Sequence, residues 1–496
     1  MPKSVLVIYT GGTIGSRPKD PDPDSPQIVV PWEELEKATP EIGRIGFEVD
    51  CVSTPEPLDS CNVGPTEWRF MAETIEKNYD NYSGFVILHG TDTMVYTASA
   101  LSFMLKNLGK PVVLTGAQTS AMVSVRNDAT QNFLTSLLVA NPEFADIPNI
   151  PEVVICFGGK ILRGNRSIKV DTVGYDAYDT PNMPPLGEAG DAISINHGLL
   201  RPMPDGKFFA RTRLDTNVLP MLIYPGMQFT ELAKRQLSDA NLRAAVVLSF
   251  GSGNIPTQPE FLKMFIDARD RGVVIANVGQ CVRGPVELGI YETSAELLDA
   301  GFVAADDITL EAAQCKLMVA LGDPDLMDPD MDPIERRTIV ERQFEVAQAG
   351  EQSISVEVTK FDNSSGSVDT AEGIPGRKRI RGEVVSGQFS PAGVQRALLR
   401  LRGVSLASDD KVSVRLFLNL DPDATPDNSD PGFGGKHSRW PEAQTGLTVF
   451  DITPAFRATV KPGDRVSVTV VIDTADSQFT WESAELAVFI EEAANV

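Results

Sequence analysis

The N-terminal part of the chain alternates short apolar runs, rich in β-branched residues, with segments long enough to hold a helix. Such alternation is typical of βαβ units, in which a crossover helix returns the chain to the sheet. Between Thr93 and Leu108 the apolar residues recur at helical spacing and predict one such crossover. We therefore predict an α/β fold with a parallel sheet, its strands at residues 4–10, 47–53, 83–90, 111–116 and 151–159.

The carboxyl ends of these strands should share one edge of the sheet, because βαβ crossovers are right-handed. Open α/β sheets bind small ligands in the crevice outside those ends. Functional residues are therefore expected directly after the strands.

The length of 496 residues is too great for one compact core. A second α/β rhythm has apolar runs at 219–224, 244–250 and 272–278, and from about residue 353 alternating runs between Gly, Pro and Asp turns are typical of a β-sandwich. We predict three domains: an N-terminal catalytic α/β domain (1–205), a smaller α/β domain (215–345) and an additional β-sandwich domain (353–496).

Composition excludes several classes of partner. The net charge of −24 argues against nucleic acid, which needs clustered Lys and Arg, and no apolar run approaches the roughly 18 residues of a membrane span. The N-terminus has no signal-peptide pattern. Five scattered cysteines favour a reducing cytoplasm over a disulfide framework. The Asp-rich run at 322–333 lacks the EF-hand order of ligands. The Asp-rich run at 421–430 could bind a cation but is interpreted as a solvated turn, so no metal site is predicted.

The stretch Val5–Gly15 ends an apolar run in glycines interleaved with two threonines. Glycine permits the backbone turns that present a neighbouring side chain at a strand end. We interpret Thr13 as a nucleophile held on this turn. On this segment alone, a tight turn without catalytic role explains the pattern equally well.

A second hydroxyl motif, His89–Met94, follows the strand at Phe85–Leu88 and places Thr91 at the same sheet edge. A threonine hydroxyl is a weak nucleophile that needs a base. His89 is most simply a strand residue, whereas a lysine can replace histidine in this role. Lys169, after the fifth strand, is the candidate base. The alternative is a solvated charge cluster of Lys169 with Arg163 and Arg166.

These motifs together resemble the L-asparaginases, most closely the cytoplasmic type I branch, over about the first 345 residues. The two signature segments are Thr10–Gly15 and His89–Met94. Further matching segments follow in the family's order: Asp59–Asn62, Leu114–Gln118, Arg163–Lys169, Gly251–Asn254 and Gln280–Cys281.

The resemblance implies an asparaginase-like two-domain fold and the hydrolysis of L-asparagine to L-aspartate and ammonia. Thr13 would attack the side-chain amide to form an acyl-enzyme. Thr91, Asp92 and Lys169 would form a second triad, in which Lys169 and Asp92 polarise Thr91. Backbone N–H groups near Gly12 and Thr91 would stabilise the oxyanion.

The resemblance also implies how a small asparagine-like amide would be held. Ser60 and Asp92 would bind its α-carboxylate and α-ammonium, and Ala117 would offer a carbonyl to the leaving amide. No cofactor is implied. A homodimer or homotetramer is expected, with Asn254 reaching a neighbouring site. The implied substrate-binding residues are Gly12, Asp59, Ser60, Cys61, Thr91, Asp92, Ala117 and Asn254.

Two departures from the family pattern concern the loop after Thr13 and a regulatory site. Arg17–Trp32 lacks the tyrosine that family members place there, and Gln27 is the nearest aligned residue. The composition of Arg17–Pro31 predicts a mobile loop without helix or strand, either a lid or a solvated loop. Leu248 and Ile168 replace polar residues of the allosteric site of type I enzymes. Although Cys281 fits that site, we predict that this regulation is absent.

Two other functions are consistent with these motifs. One is the asparaginase-like subunit of a tRNA-dependent amidotransferase, which the acidic composition disfavours. The other is a weakly catalytic amino-acid sensor, which the missing tyrosine allows. Asparagine and glutamine differ by one methylene, and the sequence leaves the choice between them open.

Overall fold

A computed structural model gives the fold of the chain, which divides into two compact units, Met1–Gln352 and Ser353–Val496. In the first unit the structure describes residues 4–352 except 21, 23–24, 287, 289–295, 298–299, 329 and 345–346. In the second it describes residues 354–356, 366–369, 376–383, 394–402, 405–407, 412–421, 425, 427–439, 447–461, 465–472, 478–481 and 483–490.

The first unit contains short strands and helices in alternation. Its strands are β1 (Val5–Gly11), β2 (Ser16–Pro18), β3 (Gln27–Val29), β4 (Val49–Leu58), β5 (Gly84–Leu88), β6 (Leu105–Lys106), β7 (Val112–Thr115), β8 (Val153–Phe157), β9 (Lys160–Arg163), β10 (Ile168–Lys169), β11 (Tyr178–Asp179), β12 (Gly187–Ala189), β13 (Ile193–Ile195), β14 (Phe209–Ala210), β15 (Val218–Leu222), β16 (Ala244–Ser249), β17 (Val274–Gly279) and β18 (Phe302–Ala304). Its helices are α1 (Trp32–Ala38), α2 (Pro65–Asn78), α3 (Met94–Met104), α4 (Ala129–Ala140), α5 (Pro142–Ala145), α6 (Leu232–Leu237), α7 (Pro259–Asp270), α8 (Leu310–Gly322) and α9 (Pro333–Phe344).

The main sheet has eight strands in the order β13-β12-β9-β8-β7-β5-β1-β4. The five strands from β8 to β4 are parallel, as predicted. The other three run antiparallel to their neighbours and make the sheet mixed, which the sequence analysis missed. Gly158 and Gly159 cause the reversal, because both adopt positive φ (58° and 78°) in a two-residue hairpin between β8 and β9.

Both faces of the main sheet are covered, which explains why its strands are apolar throughout. On β1, Leu6 and Ile8 pack into the core that contains α2, α3 and α8, whereas Val5, Val7 and Tyr9 pack into the core with α1 and α4. The predicted crossover helix is confirmed as α3, which ends at Met104 and is followed by the short strand β6.

The second α/β half contains a parallel sheet in the order β15-β16-β17-β18, which confirms the second α/β rhythm. Helix α8 starts at a cap in which the Thr309 hydroxyl accepts the N–H of Ala312. Its buried face contributes to one core with α3 and the strands of both sheets. The two α/β halves are therefore packed into a single unit.

The segment after Thr13 forms a β-hairpin, so the expectation of a loop without strands is wrong. Strands β2 and β3 pair antiparallel, with Ser16 opposite Val29 and Pro18 opposite Gln27. The ion pair between Arg17 Nε and Glu34 (3.1 Å) joins the hairpin to α1. The proline and aspartate content is concentrated at the tip, where it does not prevent the flanking residues from pairing.

The second unit is rich in antiparallel sheet, as predicted. Its elements are β19 (Ile354–Val356), β20 (Gly366–Asp369), β21 (Gly376–Glu383), β22 (Val394–Arg402), β23 (Ser405–Ala407), β24 (Val412–Leu418), β25 (Phe433–Arg439), β26 (Leu447–Asp451), α10 (Thr453–Thr459), β27 (Arg465–Ile472), β28 (Gln478–Trp481) and β29 (Ser483–Ile490). They form sheets β19-β29-β22-β26, β21-β27-β24-β25 and β20-β28-β23. Alternate residues of β27, Val466, Val468 and Val470, belong to one core with Leu399 of β22.

Among the described residues, no helix has the length and apolar character to cross a bilayer. The described parts of the chain also contain no group of three or more His, Cys, Asp or Glu side chains suited to a metal ion.

Asp306, between β18 and α8, should make folding stability depend on pH. Burial raises its pKa to about 7, the neighbouring Asp307 adds to this effect, and Lys316 and Arg166 oppose it. Because the folded-state pKa lies above the ordinary value, the folded state loses stability as pH rises from about 4 to about 7.

The substitution Asp306→Asn removes this titration. We expect the melting temperature of the variant, relative to wild type, to rise between about pH 5 and about pH 8. Thermal unfolding of both proteins at the two pH values measures this. A difference that does not change with pH would contradict the role of Asp306.

Candidate active site

Two glycine turns touch at the carboxyl edge of the main sheet. They follow the adjacent strands β1 and β5. Gly12 has a φ of 83°, and a Cβ atom built on it would lie 2.4 Å from both Cα and N of Gly90. Only glycine allows this approach. The contact brings the turn that carries Thr13 against the turn that carries Thr91.

Ser60 extends this cluster to a third strand. It begins the 3₁₀ turn Ser60–Asn62 directly after β4, which is the other neighbour of β1. The Ser60 hydroxyl accepts the Asp92 N–H at 3.2 Å, and the Ser60 carbonyl accepts the Thr93 hydroxyl at 2.6 Å. Three adjacent strand ends therefore present Ser60, Thr13 and Thr91 at one edge.

Asp59 and Cys61 flank Ser60 in different ways. The Asp59 carboxylate accepts the Cys61 N–H at 3.3 Å and so caps the turn. Cys61 is exposed at the turn surface.

Lys169 enters the cluster from β10. Its Nζ lies 2.9 Å from the Thr91 hydroxyl oxygen and 2.7 Å from an Asp92 carboxylate oxygen. The Lys169 side chain is 15% exposed and that of Asp92 is 67% exposed, so the carboxylate faces solvent while the lysine side chain is largely covered. This arrangement can pass a proton between Thr91 and Lys169.

Gln118 and Asp128 were not among the predicted site residues, although Gln118 lies in a matched motif. The Thr91 hydroxyl donates to the Gln118 side-chain oxygen at 3.5 Å. The carboxylate of Asp128 accepts the N–H groups of Gln118 and Thr119, each at 2.9 Å, and so orders the loop after β7. Ala117, in the same loop, is buried. Only the fold reveals Asp128, because it lies ten residues beyond its partner.

His89 is the first residue after β5, not a strand residue as predicted, and it holds the second turn in place. It is fully buried, and this burial lowers its pKa to about 4. In the neutral ring, Nδ1–H donates to the Gly90 carbonyl at 2.7 Å and Nε2 accepts the Thr97 hydroxyl at 2.9 Å. The Thr97 oxygen in turn accepts the indole N–H of Trp68 at 2.9 Å. This chain of donors fixes the backbone beside Thr91.

Buried tyrosines lie beneath both turns. The Tyr178 hydroxyl donates to the Thr91 carbonyl, and the Tyr9 hydroxyl donates to the Val30 carbonyl at 2.6 Å. Burial raises the pKa of both hydroxyls well above the ordinary value. Both tyrosines are therefore neutral donors that hold backbone carbonyls in place. Gln27, which aligns nearest to the missing loop tyrosine, is exposed on β3.

The last predicted substrate-binding residue, Asn254, lies in the second α/β half. It follows β16, and its backbone pairs with that of Phe250 in a tight turn. Strand β16 belongs to a different sheet from the strands that carry the other predicted residues. Ile168, Leu248 and Cys281 line one cavity of about 160 Å³, to which Asp306 and Glu311 also contribute. Ile168 and Leu248 contribute apolar side chains to this cavity, and the absence of regulation there stays a prediction.

The chain matches two family models. The model for the N-terminal domain of asparaginases covers residues 4–201, and the model for the C-terminal domain of glutaminases and asparaginases covers residues 217–330. L-asparaginase 1 of Escherichia coli K12 is 39% identical over 325 residues, which are 64% of this chain and 92% of that protein. The chain belongs to the asparaginase family. It is an L-asparaginase-like amidohydrolase.

Other relatives carry other names. The 60 kDa lysophospholipase of Mus musculus is 36% identical over 348 residues, 65% of this chain and 59% of that protein. One component of the glutamyl-tRNA(Gln) amidotransferase of Pyrococcus abyssi is 34% identical over 332 residues, 64% of this chain and 72% of that protein. Among solved structures, L-asparaginase I of Vibrio cholerae has a TM-score of 0.62 at 35% identity and covers 71% of this chain and all of its own.

Replacing Tyr178 by Phe should loosen the second turn, because the buried Thr91 carbonyl loses its donor. A buried unsatisfied carbonyl costs about 1–3 kcal/mol of folding free energy, and mispositioning of Thr91 should lower kcat by about tenfold or more. Steady-state kinetics and denaturation of the full chain measure both effects.

The matched control is Tyr79→Phe. The Tyr79 hydroxyl accepts the Gly109 N–H at 2.7 Å. Gly109 lies near the amino end of β7, whereas the site lies at the carboxyl ends of the strands. This variant should lose stability but keep kcat. Equal kcat for Tyr178→Phe and wild type would show that the Tyr178 hydroxyl does not position Thr91.

Proposed function

We propose that the protein hydrolyses L-asparagine to L-aspartate and ammonia through a threonine acyl-enzyme. One observation carries the proposal. Lys169 Nζ lies 2.9 Å from the hydroxyl of Thr91, whose turn touches the turn of Thr13. A weak hydroxyl nucleophile beside a second hydroxyl and a lysine is a sufficient set for amide hydrolysis without a cofactor.

In the first half-reaction the Thr13 hydroxyl attacks the side-chain amide carbon of the substrate, and Thr91 and Lys169 relay its proton. The tetrahedral oxyanion is stabilised by backbone N–H groups near Gly12 and Thr91, typically by about 3 kcal/mol per donor. Collapse breaks the carbon–nitrogen bond, and ammonia leaves with the relayed proton. The product is an aspartyl ester on Thr13.

In the second half-reaction water replaces ammonia. Thr91 and Lys169 accept a proton from the water as it attacks the ester carbon. Collapse of this second intermediate breaks the bond to the Thr13 oxygen, which regains its proton, and L-aspartate leaves.

Substrate orientation is assigned to the polar groups around the two turns. The Ser60 hydroxyl accepts the Asp92 N–H, and its own hydrogen can donate to the α-carboxylate. The exposed Asp92 carboxylate suits the α-ammonium. Ala117 offers a carbonyl to the amide nitrogen, and Asp59 and Cys61 shape the Ser60 turn.

The oligomeric state and the cellular compartment are part of the proposal. We place the enzyme in a homodimer or homotetramer, with Asn254 reaching a neighbouring site. All five cysteines are free thiols, which supports a reducing cytoplasm.

The substitution Thr13→Ala should abolish ammonia release from asparagine, with a loss of more than about 10³-fold in kcat, because no acyl-enzyme can form. A coupled assay for ammonia measures this. The control Thr10→Val removes a hydroxyl near the end of β1, just before the turn, which donates to the Leu88 carbonyl at 2.9 Å. It should retain kcat within about tenfold of wild type, since a lost hydrogen bond of this kind affects stability first. Comparable kcat for Thr13→Ala and wild type would refute the nucleophile.

The substitution Lys169→Met should lower kcat by about 10²–10⁴-fold while changing KM little, because the lysine acts on Thr91 and not on the substrate. The control is Lys160→Met. Lys160 also pairs with a carboxylate, that of Asp176 at 2.7 Å, but lies on β9 away from Thr91. Equal losses in the two variants would mean that the charge, and not the position of Lys169, is what matters.

A second candidate is an asparaginase-like subunit that supplies ammonia to a tRNA-dependent partner, as the name of the Pyrococcus relative suggests. The acidic composition disfavours it. Ammonia release that requires a co-purified partner would favour this candidate. Asparagine binding without turnover under any condition would instead indicate an amino-acid sensor.

A further inference from the structure

The last residues of the first unit form a buried segment, 347–352, which we call the strap. Glu351 and Gln352 are 0% and 1% exposed, and Gly350 adopts a φ of 72°. A Cβ atom on Gly350 would lie 2.7 Å from a guanidinium nitrogen of Arg163. The strap therefore lies closely against β9 and the turn that follows it.

Three backbone carbonyls of the strap accept hydrogen bonds from side chains of the N-terminal α/β half. The Gln348 carbonyl accepts Arg201 at 2.8 Å, the Ala349 carbonyl accepts the Asn165 amide at 2.8 Å, and the Glu351 carbonyl accepts Arg166 at 2.9 Å. Asn165 is 0% exposed and Arg166 is 3% exposed. Side chains of the N-terminal half thus bind the strap along most of its length.

The other side of the strap is fixed to α8. Lys316 Nζ lies 2.6 Å from a carboxylate oxygen of Glu351, and the two side chains are 1% and 0% exposed. Burial alone would raise the pKa of Glu351, but the Lys316 ammonium and the N–H of Ala349 together hold it below the ordinary value. Glu351 is therefore a paired anion that holds the strap between the two α/β halves.

The strap is linked to the active site by a very short path. Asn165 and Arg166 belong to the 3₁₀ turn Gly164–Arg166, and Lys169 follows three residues later on β10. Arg166 is fixed further by two bonds of 2.8 Å to the Asp307 carboxylate. The Ser167 hydroxyl donates to the Arg163 carbonyl at 2.7 Å, which ties the start of β10 to the same turn.

The ion pair of Lys169 at the site contributes little to fixing its side chain. Its ion pair with Asp92 involves a carboxylate that is 67% exposed, and exposed pairs hold side chains weakly. Catalytic groups must nevertheless be held to within a fraction of an ångström. The backbone that delivers Lys169 contributes to this order. Its strand β10 pairs with β11, and the turn before β10 is bonded to the strap and to Asp307.

We propose that the strap is a positioning element of the hydrolytic site, which acts through Asn165 and Arg166 to hold Lys169 against Thr91. This inference rests on the proposed function of Lys169. It assigns a role in catalysis to the residues that directly precede the second unit, outside the segments matched by the family models.

Two substitutions in the full chain should loosen the contact between the strap and the N-terminal half, one in each partner. Asn165→Ala removes the donor to the Ala349 carbonyl, and Gly350→Ala forces a methyl group toward Arg163. We expect each to lower kcat for asparagine by about 10–100-fold, as a displacement of about 1 Å does, with KM within about twofold of wild type.

Each variant has a matched control. Asn149→Ala removes an amide that donates to the Gly109 carbonyl at 3.0 Å, before β7 and β8 and so at the far end of the sheet. Gly226→Ala places alanine at a φ of 99°, where a Cβ atom meets nothing within 4 Å. Both controls should keep kcat. If the strap variants lose only melting temperature and retain kcat, as the controls do, the strap is merely structural and the inference is overturned.

Hydrogen–deuterium exchange of the same proteins provides a readout that does not need turnover. Peptides covering residues 164–169 should exchange faster in Asn165→Ala and Gly350→Ala than in wild type. Their exchange rates in both controls should equal those of wild type. Unchanged exchange there in the strap variants contradicts the inference. Faster exchange in a protein without asparaginase activity would refute the proposed function and leave the positioning of Lys169 by the strap intact.

Discussion

The close approach of Gly12 to Gly90 is the contact on which the site depends. A side chain at either position would separate the turns, since a Cβ atom on Gly12 would lie 2.4 Å from Gly90 and one on Gly90 would lie 2.6 Å from the Ser60 hydroxyl. Parallel strands in register bring three strand ends to one edge, but strand spacing alone leaves them about 4.8 Å apart. The glycines remove the remaining gap and bring the turns that carry Thr13, Thr91 and Ser60 into contact.

The polar side chains around this contact are of two kinds. Some, such as His89 and Tyr178, are buried and hold backbone carbonyls of the Thr91 turn, and burial keeps both neutral near physiological pH. Lys169 is of the second kind: it lies at the site itself and reaches Thr91 from β10, 77 residues after Asp92 in the chain. Its placement depends on how the two α/β halves and the strap pack. The reactive geometry therefore depends on contacts well outside the family motifs.

Much of the fold was predictable, because apolar runs and helical spacing report burial directly. The parallel strands, α3 and the change of texture near residue 353 follow from that pattern. The antiparallel strands β9, β12 and β13 were missed because the glycine pair Gly158–Gly159 forms a hairpin turn at the end of an apolar run that resembles one continuous strand. The hairpin after Thr13 was missed because the Pro and Asp residues that dominate this segment lie mostly between its two strands, and they hid the strand pattern on either side. At the site, the motifs predicted residues that the fold brings to one region, such as Thr13, Thr91 and Lys169, whereas the contacts of Asp128, Tyr178 and the strap are tertiary and leave no local signal.

The central claim is that the hydroxyl delivered by the first glycine turn becomes acylated, with Thr91 and Lys169 as its proton relay. The most direct measurement is peptide mass spectrometry of the wild-type protein, acid-quenched during turnover of asparagine and then digested. The account predicts an aspartyl ester on the peptide that contains Thr13 and on no other. An ester on Thr91, with Thr13 unmodified, would contradict it.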